Sequence, residues 1–220
     1  MNDELLTRPL ALVVALALVS LLPFAFMSVT AFVKISTVLQ IVRSAIGAQS
    51  VPSGTVVLAL AAALTLLAMA PVGAKIAARG APLFSGKERD PAALVREGID
   101  AVREPMRDFL SANASAREKA RFLAIAKDAR PPAERAEVGD RDLPVLIPAF
   151  VVTELGEAFA IGFLLFLPFL LVDLVVSNIL LALGMQTLSA TQVSLPLKLL
   201  LFVGIDGWGL LSQALVAGYR

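Results

Sequence analysis

The sequence predicts an all-α integral membrane protein with several helices, some of them broken, and a small charged helical insertion. Apolar residues make up 58% of the 220 residues and the mean hydropathy is +0.82, whereas soluble globular chains hold about 45–50% apolar residues. Two uncharged runs, at 9–33 and 55–74, reach the length of about 20 residues that a membrane-spanning helix needs. The charges are concentrated elsewhere, with 26 of 37 lying at 75–142.

This patterning divides the chain into three parts. Residues 1–74 hold N-terminal hydrophobic helices and a short basic connector, 75–142 form a charged helical subdomain, and 143–220 hold C-terminal hydrophobic helices. A net charge of +1 gives no signal for nucleic acid. Because the chain has neither cysteine nor histidine, it lacks disulfides, the commonest metal ligand and the commonest general base. We therefore expect no metal and no cofactor.

In the first part, we interpret the run at 9–33 as a membrane-spanning helix. A cleaved signal peptide is the alternative, but the run is longer than the 7–15 apolar residues of such a peptide. Pro23 should kink this helix. The connector from Lys34 to Ser53 carries Lys34 and Arg43 without an acid. We interpret it as an amphipathic surface segment with its basic side chains in water on the cytoplasmic side, with a helix at a subunit contact as the alternative. The second run should end at Pro71 and Gly73.

The charged subdomain has signals for two helices. Asp90 and Pro91 have the form of an N-cap followed by proline at the first helical position, and Pro105 should bend or divide the helix that follows. Ser115 and Glu118 have capping-box spacing, which predicts a second helix through about residue 129. Mixed charges favour a solvated surface here, and a docking surface for neighbouring proteins is the alternative.

The third part is apolar but carries five ionisable residues: Glu154, Glu157, Asp173, Lys198 and Asp206. Such groups are costly against lipid and therefore usually face protein or water. We interpret these five, with Lys34 and Arg43, as charges that pair across subunits and hold an assembly in register; a proton relay is the alternative. In one continuous helix Glu154 and Asp173 would lie about 28 Å apart, which is too far for paired-carboxylate hydrolysis.

Polar residues between 174 and 197 predict a helix, a break and a new helix, with Ser194 as the N-cap of the new helix. Lys198 and Asp206 lie about 12 Å apart along it, so each needs another partner. Two other functional classes stay open. A membrane enzyme would need a pair such as Ser194 and Lys198, or intramembrane carboxylates. A secondary transporter would usually carry inverted repeats, which the sequence lacks.

Long blocks of this sequence resemble the FliP/SctR (YscR-like) family of inner-membrane export-apparatus proteins in type III secretion systems and flagella. The blocks are LIPAFVVTELGEAFAIGFLLFLPFLLVDLVVSNILLALGM, SLPLKLLLF and DGW, with FVKISTVLQIVRSAIGAQSVPSG and AMAPVG upstream. They cover nearly the whole chain except its charged middle. Without a long N-terminal extension, the chain is more similar to the virulence branch than to the flagellar one.

The resemblance implies a core component of the export gate, forming a protein-conducting pore for unfolded secreted proteins. It implies about five copies with SctS/FliQ-like and SctT/FliR-like partners, in a multi-pass assembly of the bacterial inner membrane that stands largely on the periplasmic side. It also implies a sealing loop at the pore constriction, matching Leu183, Gly184, Met185, Gln186 and Leu188. The family commonly has several methionines there and this chain has only Met185, which as an alternative could be a simple core filler.

Overall fold

The computed structural model describes residues 3–47, 52–84 and 91–219, and the regular structure in these ranges is entirely helical. The predicted all-α class is therefore confirmed. The elements, in chain order, are α1 (Asp3–Val29), α2 (Phe32–Ile46), α3 (Gly54–Phe84), α4 (Pro91–Asn113), α5 (Ala116–Asp128), a 3-10 helix (Pro132–Glu137), α6 (Leu143–Ala182), α7 (Ala190–Gly204) and α8 (Gly207–Ala217).

Two of these helices are long and apolar enough to cross a membrane: α3 over Gly54–Pro82 and α6 over its whole length. Two bent pairs in the described ranges meet the same test as single broken spans. One joins Val19–Val29 to α2 through a 75° bend, and the other joins α7 to α8 through a 58° bend. The described chain thus holds two to four candidate spans, as a membrane protein with broken helices requires.

Helix α2 lies at the centre of the larger apolar core, and the prediction of a surface connector there was wrong. Its residues Ile35, Val38, Leu39 and Val42 are almost completely buried against α3 and α6. They recur at the spacing of one helix face. Lys34 was predicted to lie in water, but it is only 6% exposed and its ammonium is buried.

Helix α6 is one continuous element of 40 residues, about 60 Å long. The helix continues without a break through Glu157 and Asp173. It runs in the same direction as α2, since Lys34 lies beside Glu154 and Ile41 beside Gly162. The helix is about twice as long as the hydrocarbon core of a bilayer, which is about 30 Å thick, so a substantial part of it must lie outside that core.

The prolines of α3 and α4 lie inside their helices instead of ending them. Helix α3 continues past Pro71 to Phe84, and α4 is undivided at Pro105. Neighbouring elements can compensate for the backbone bond that proline removes. The predicted end of the second run at Pro71 and Gly73 was therefore wrong, and the proposed boundary at 74 falls within α3. The predicted N-cap Asp90 lies outside the described residues.

The charged insertion packs directly onto α6. Phe109 and Leu110 of α4 form a second apolar cluster with Leu146 and Phe150 of α6. The predicted second helix is confirmed as α5, and Ser115 is its N-cap, because its side chain accepts a hydrogen bond from the Glu118 amide. The capping box is not completed, since the Glu118 carboxylate binds Arg117 and Arg121 instead of the Ser115 amide. The start of α5 also contacts α6, because the Ser115 amide donates a hydrogen bond to Thr153 Oγ1 of α6 at 3.0 Å.

The contact between α2 and α6 should be sensitive to the size of residue 162. A Cβ added to Gly162 would lie 2.6 Å from Cδ1 of Ile41, and a β-branched neighbour has little freedom to move away. We expect Gly162→Ala to lower the free energy of unfolding by about 1–3 kcal/mol, measured by thermal unfolding in detergent. Gly156→Ala in the same helix meets open space and should be neutral or stabilising. Equal effects of the two substitutions would contradict this packing.

Candidate functional site: two buried ion clusters and an exposed loop

The first group of charged residues, the Lys34 cluster, comprises Lys34, Glu154, Glu157 and Tyr219. Lys34 Nζ lies 3.1 Å from Glu154 Oε1 and 2.7 Å from Glu157 Oε2. The Lys34 and Glu154 side chains are 8% and 1% exposed, whereas that of Glu157 is 54% exposed. One buried lysine of α2 therefore links two carboxylates that share a face of α6, as their spacing of three residues predicts.

Tyr219 completes this cluster and was missed by the sequence reasoning. Its hydroxyl donates a hydrogen bond to Glu154 Oε2, and Lys34 Nζ lies 4.4 Å from the centre of its ring. Burial, followed by the nearby carboxylate of Glu154, raises the pKa of the Tyr219 hydroxyl, so the group keeps its proton and remains a donor. The available signal was weak: Tyr219 is the only tyrosine of the chain, and a buried tyrosine hydroxyl usually has a partner.

The second group, the Asp173 cluster, comprises Asp173, Ser194 and Lys198. Lys198 Nζ lies 2.6 Å from Asp173 Oδ2 and 3.2 Å from the Ala45 carbonyl oxygen near the end of α2. The Ser194 hydroxyl donates to Asp173 Oδ1. Ser194 and Lys198 are almost completely buried. The cluster thus connects the C-terminal end of α2 to α6 and α7, and a cation suits this end of a helix.

The prediction of Ser194 as an N-cap was wrong. The break after α6 lies where predicted, but α7 already begins at Ala190 with Ser189 at the N-cap position. Ser194 falls within the first turns of α7 and faces Asp173. Lys198 Nζ is bound to Asp173 and the Ala45 carbonyl, and the Ser194 hydroxyl donates to Asp173, so Lys198 is not placed to act as a base toward Ser194.

Four of the seven charges assigned to assembly contacts meet buried or partly buried partners within the chain itself: Lys34, Glu154, Asp173 and Lys198. Glu157 shares Lys34 and remains half exposed. Arg43 Nε donates to the Pro52 carbonyl at 2.8 Å. Asp206 is exposed at the bend between α7 and α8, where it adopts a positive φ of 53°. These contacts join helices of one chain, and the role of the seven residues between subunits stays a prediction.

The two ion clusters are attached to opposite parts of one helix. Glu154 and Asp173 are 19 positions apart on the continuous α6, which corresponds to about 28 Å. A direct proton transfer between them is excluded by this separation. Within the described residues, no group of three or more metal-ligating side chains comes together. The contacts of the two clusters therefore support a structural role, in which they hold neighbouring helices together.

The loop between α6 and α7 closes α6 with a Schellman motif. The Gly184 amide donates to the Leu181 carbonyl and the Met185 amide to the Leu180 carbonyl, with Gly184 at a positive φ of 76°. This pattern commonly ends helices at glycine. The three apolar side chains predicted for the constriction are exposed in the single chain, by 66% for Leu183, 44% for Met185 and 45% for Leu188.

Comparison with known proteins matches residues 15–215 to the FliP family model. The chain is 43% identical to the "Hypersensitivity response secretion protein HrcR" of Ralstonia nicotianae, over 96% of this chain and 97% of that protein. It is 39% identical to the "Yop proteins translocation protein R" of Yersinia pestis, over 94% and 95%. It is 44% identical to the "Flagellar biosynthetic protein FliP" of Cereibacter sphaeroides, over 96% of this chain and 66% of that protein.

The two carboxylates that share Lys34 should differ sharply in their importance for stability. Glu154→Gln removes the buried partner of a buried ammonium and should lower the free energy of unfolding by about 3–5 kcal/mol. Glu157→Gln, the matched control one helical turn away, should cost less than about 1 kcal/mol because Glu157 is half exposed. Chemical or thermal unfolding in detergent would measure both. Comparable losses would show that burial does not set the strength of this pair.

Proposed function

Because the chain belongs to the FliP family, we propose that it is a core component of the export gate of a type III secretion system, spanning the bacterial inner membrane several times. Relatives are named for secretion, translocation and flagellar biosynthesis. Members of this family are structural parts of a secretion apparatus and not enzymes. The observation that carries the proposal is the match over residues 15–215, a stretch that includes the Asp173 cluster, the loop after α6 and every member of the Lys34 cluster except Tyr219.

In this proposal several copies, about five, surround a protein-conducting pore together with SctS/FliQ-like and SctT/FliR-like membrane proteins. Support comes from the apolar surface that the single chain leaves uncovered. Large apolar side chains of α6 beyond Gly162, such as Phe163, Leu167 and Leu171, are 42–63% exposed, and Leu200 of α7 is 75% exposed. This surface needs lipid or neighbouring helices to cover it.

The proposed constriction is the loop after α6, with Leu183, Gly184, Met185, Gln186 and Leu188 facing the exported chain. The Schellman motif fixes the backbone of Gly184 and Met185, while the Met185 side chain remains accessible. Methionine is flexible and apolar, so it can pack around varied segments and still exclude water. Its 44% exposure supports this role over that of a core filler within the chain.

Native mass determination of the detergent-extracted protein tests the assembly. We expect a particle several times heavier than the 23.2 kDa chain, which contains additional small hydrophobic proteins, when the neighbouring membrane proteins are produced together. Imaging of that particle should reveal a central channel. A protein that remains a single chain in the presence of those partners would contradict the proposal.

The loop can be tested separately by conductance. Met185→Ala should increase ion leakage through the assembled complex in a planar bilayer severalfold without lowering its yield, because apolar bulk is removed from the seal. Leu200→Ala is the matched control, since it removes an exposed apolar side chain of α7 outside the loop. Unchanged leakage with Met185→Ala in a complex of normal yield would rule out a sealing role for this residue.

A further inference from the structure

The segment Gly207–Tyr219, which we call the strap, folds back over the helices that precede it. Its helix α8 contacts α3 and α7. Leu211 and Leu215 are buried in the apolar core around α2. The strap ends at Tyr219, whose ring is largely buried and whose hydroxyl reaches the Lys34 cluster. The segment is therefore anchored at its far end by one side chain.

That side chain meets three different parts of the fold. Its hydroxyl binds Glu154 of α6 and lies 3.4 Å from the Ala31 carbonyl before α2. One face of its ring receives Lys34 of α2 at 4.4 Å. The ring also stacks on Phe109 of α4, with 6.0 Å between the ring centres and 26° between their planes. Tyr219 packs against both apolar clusters, the one around α2 and the one between α4 and α6.

We infer that the strap is a coupling device, in which docking of Tyr219 holds the charged insertion against the membrane helices. The hydroxyl that binds Glu154 and the ring that stacks on Phe109 belong to one side chain, so undocking of Tyr219 breaks both contacts together. Release of the strap therefore removes an aromatic neighbour from α4 and a donor from a fully buried carboxylate in the same event. The strap and α4 should consequently open as one cooperative unit.

Hydrogen exchange followed by mass spectrometry can test this in the full-length protein. In Tyr219→Ala we expect the amides of α8 and those of α4 around Phe109 to exchange faster by about the same factor, of tenfold or more. Equal acceleration is the mark of a shared opening. Faster exchange in α8 alone, or in neither helix, would overturn the inference.

Two further variants keep the test informative if Tyr219→Ala fails to fold. Tyr219→Phe keeps the ring and loses only the hydroxyl, and should accelerate α8 and α4 together by a smaller common factor. Phe109→Leu changes the opposite side of the contact and should accelerate exchange in α8, although the substitution lies in α4. An effect of Phe109→Leu confined to α4 would count against the coupling.

Gln213→Ala is the matched control on the strap itself, because Gln213 is exposed on α8. It should leave exchange in both helices unchanged. The readout follows helix opening within the chain and needs no export activity. A failure of the export-gate proposal and a failure of the strap inference would therefore be recorded by different experiments.

Discussion

Burial of two lysines in an apolar helical bundle is the constraint on which the arrangement of this chain depends. An ammonium removed from water needs a carboxylate or carbonyl close by. Lys34, near the start of α2, obtains Glu154 and Glu157, and Lys198, on α7, obtains Asp173 and the Ala45 carbonyl near the end of α2. Both ends of α2 are thereby fixed to α6. Apolar contacts alone would specify this register less sharply, because they are not directional.

The buried lysines pair with carboxylates of their own chain, which limits the part that charge would play in contacts with neighbouring chains. Both buried lysines have carboxylate partners within the chain, so their pairing does not require a second chain. On α6 and α7, the surface that remains uncovered is chiefly apolar, with Glu157 and Asp206 as exposed carboxylates. In the proposed assembly, neighbouring chains would therefore meet mainly through apolar faces, and charge would contribute at a few exposed positions.

Composition and periodicity were sufficient for the helical class, the helix break after residue 182 and the N-cap at Ser115, because these depend on local backbone chemistry. The burial of α2 was missed although its signal was present: Ile35, Val38, Leu39 and Val42 repeat at helical spacing. The two basic residues in the same segment, Lys34 and Arg43, favoured a surface position and so outweighed that stripe. The partners of Ser194 and Lys198 could not be predicted, since they depend on how α6 and α7 lie against each other. Tyr219 was missed for the same reason, as its partners lie 65 or more positions away.

The length of α6 has a mechanical consequence. One end of the helix carries the insertion, through Leu146 and Phe150, and the other end carries the loop with Met185. Because α6 is unbroken, a change in its tilt moves its two ends relative to each other. Over a length of about 60 Å, a tilt of only 1° displaces one end relative to the other by about 1 Å. In the proposed assembly, a small tilt of α6 would therefore displace the loop with Met185 relative to the insertion at the other end of the helix.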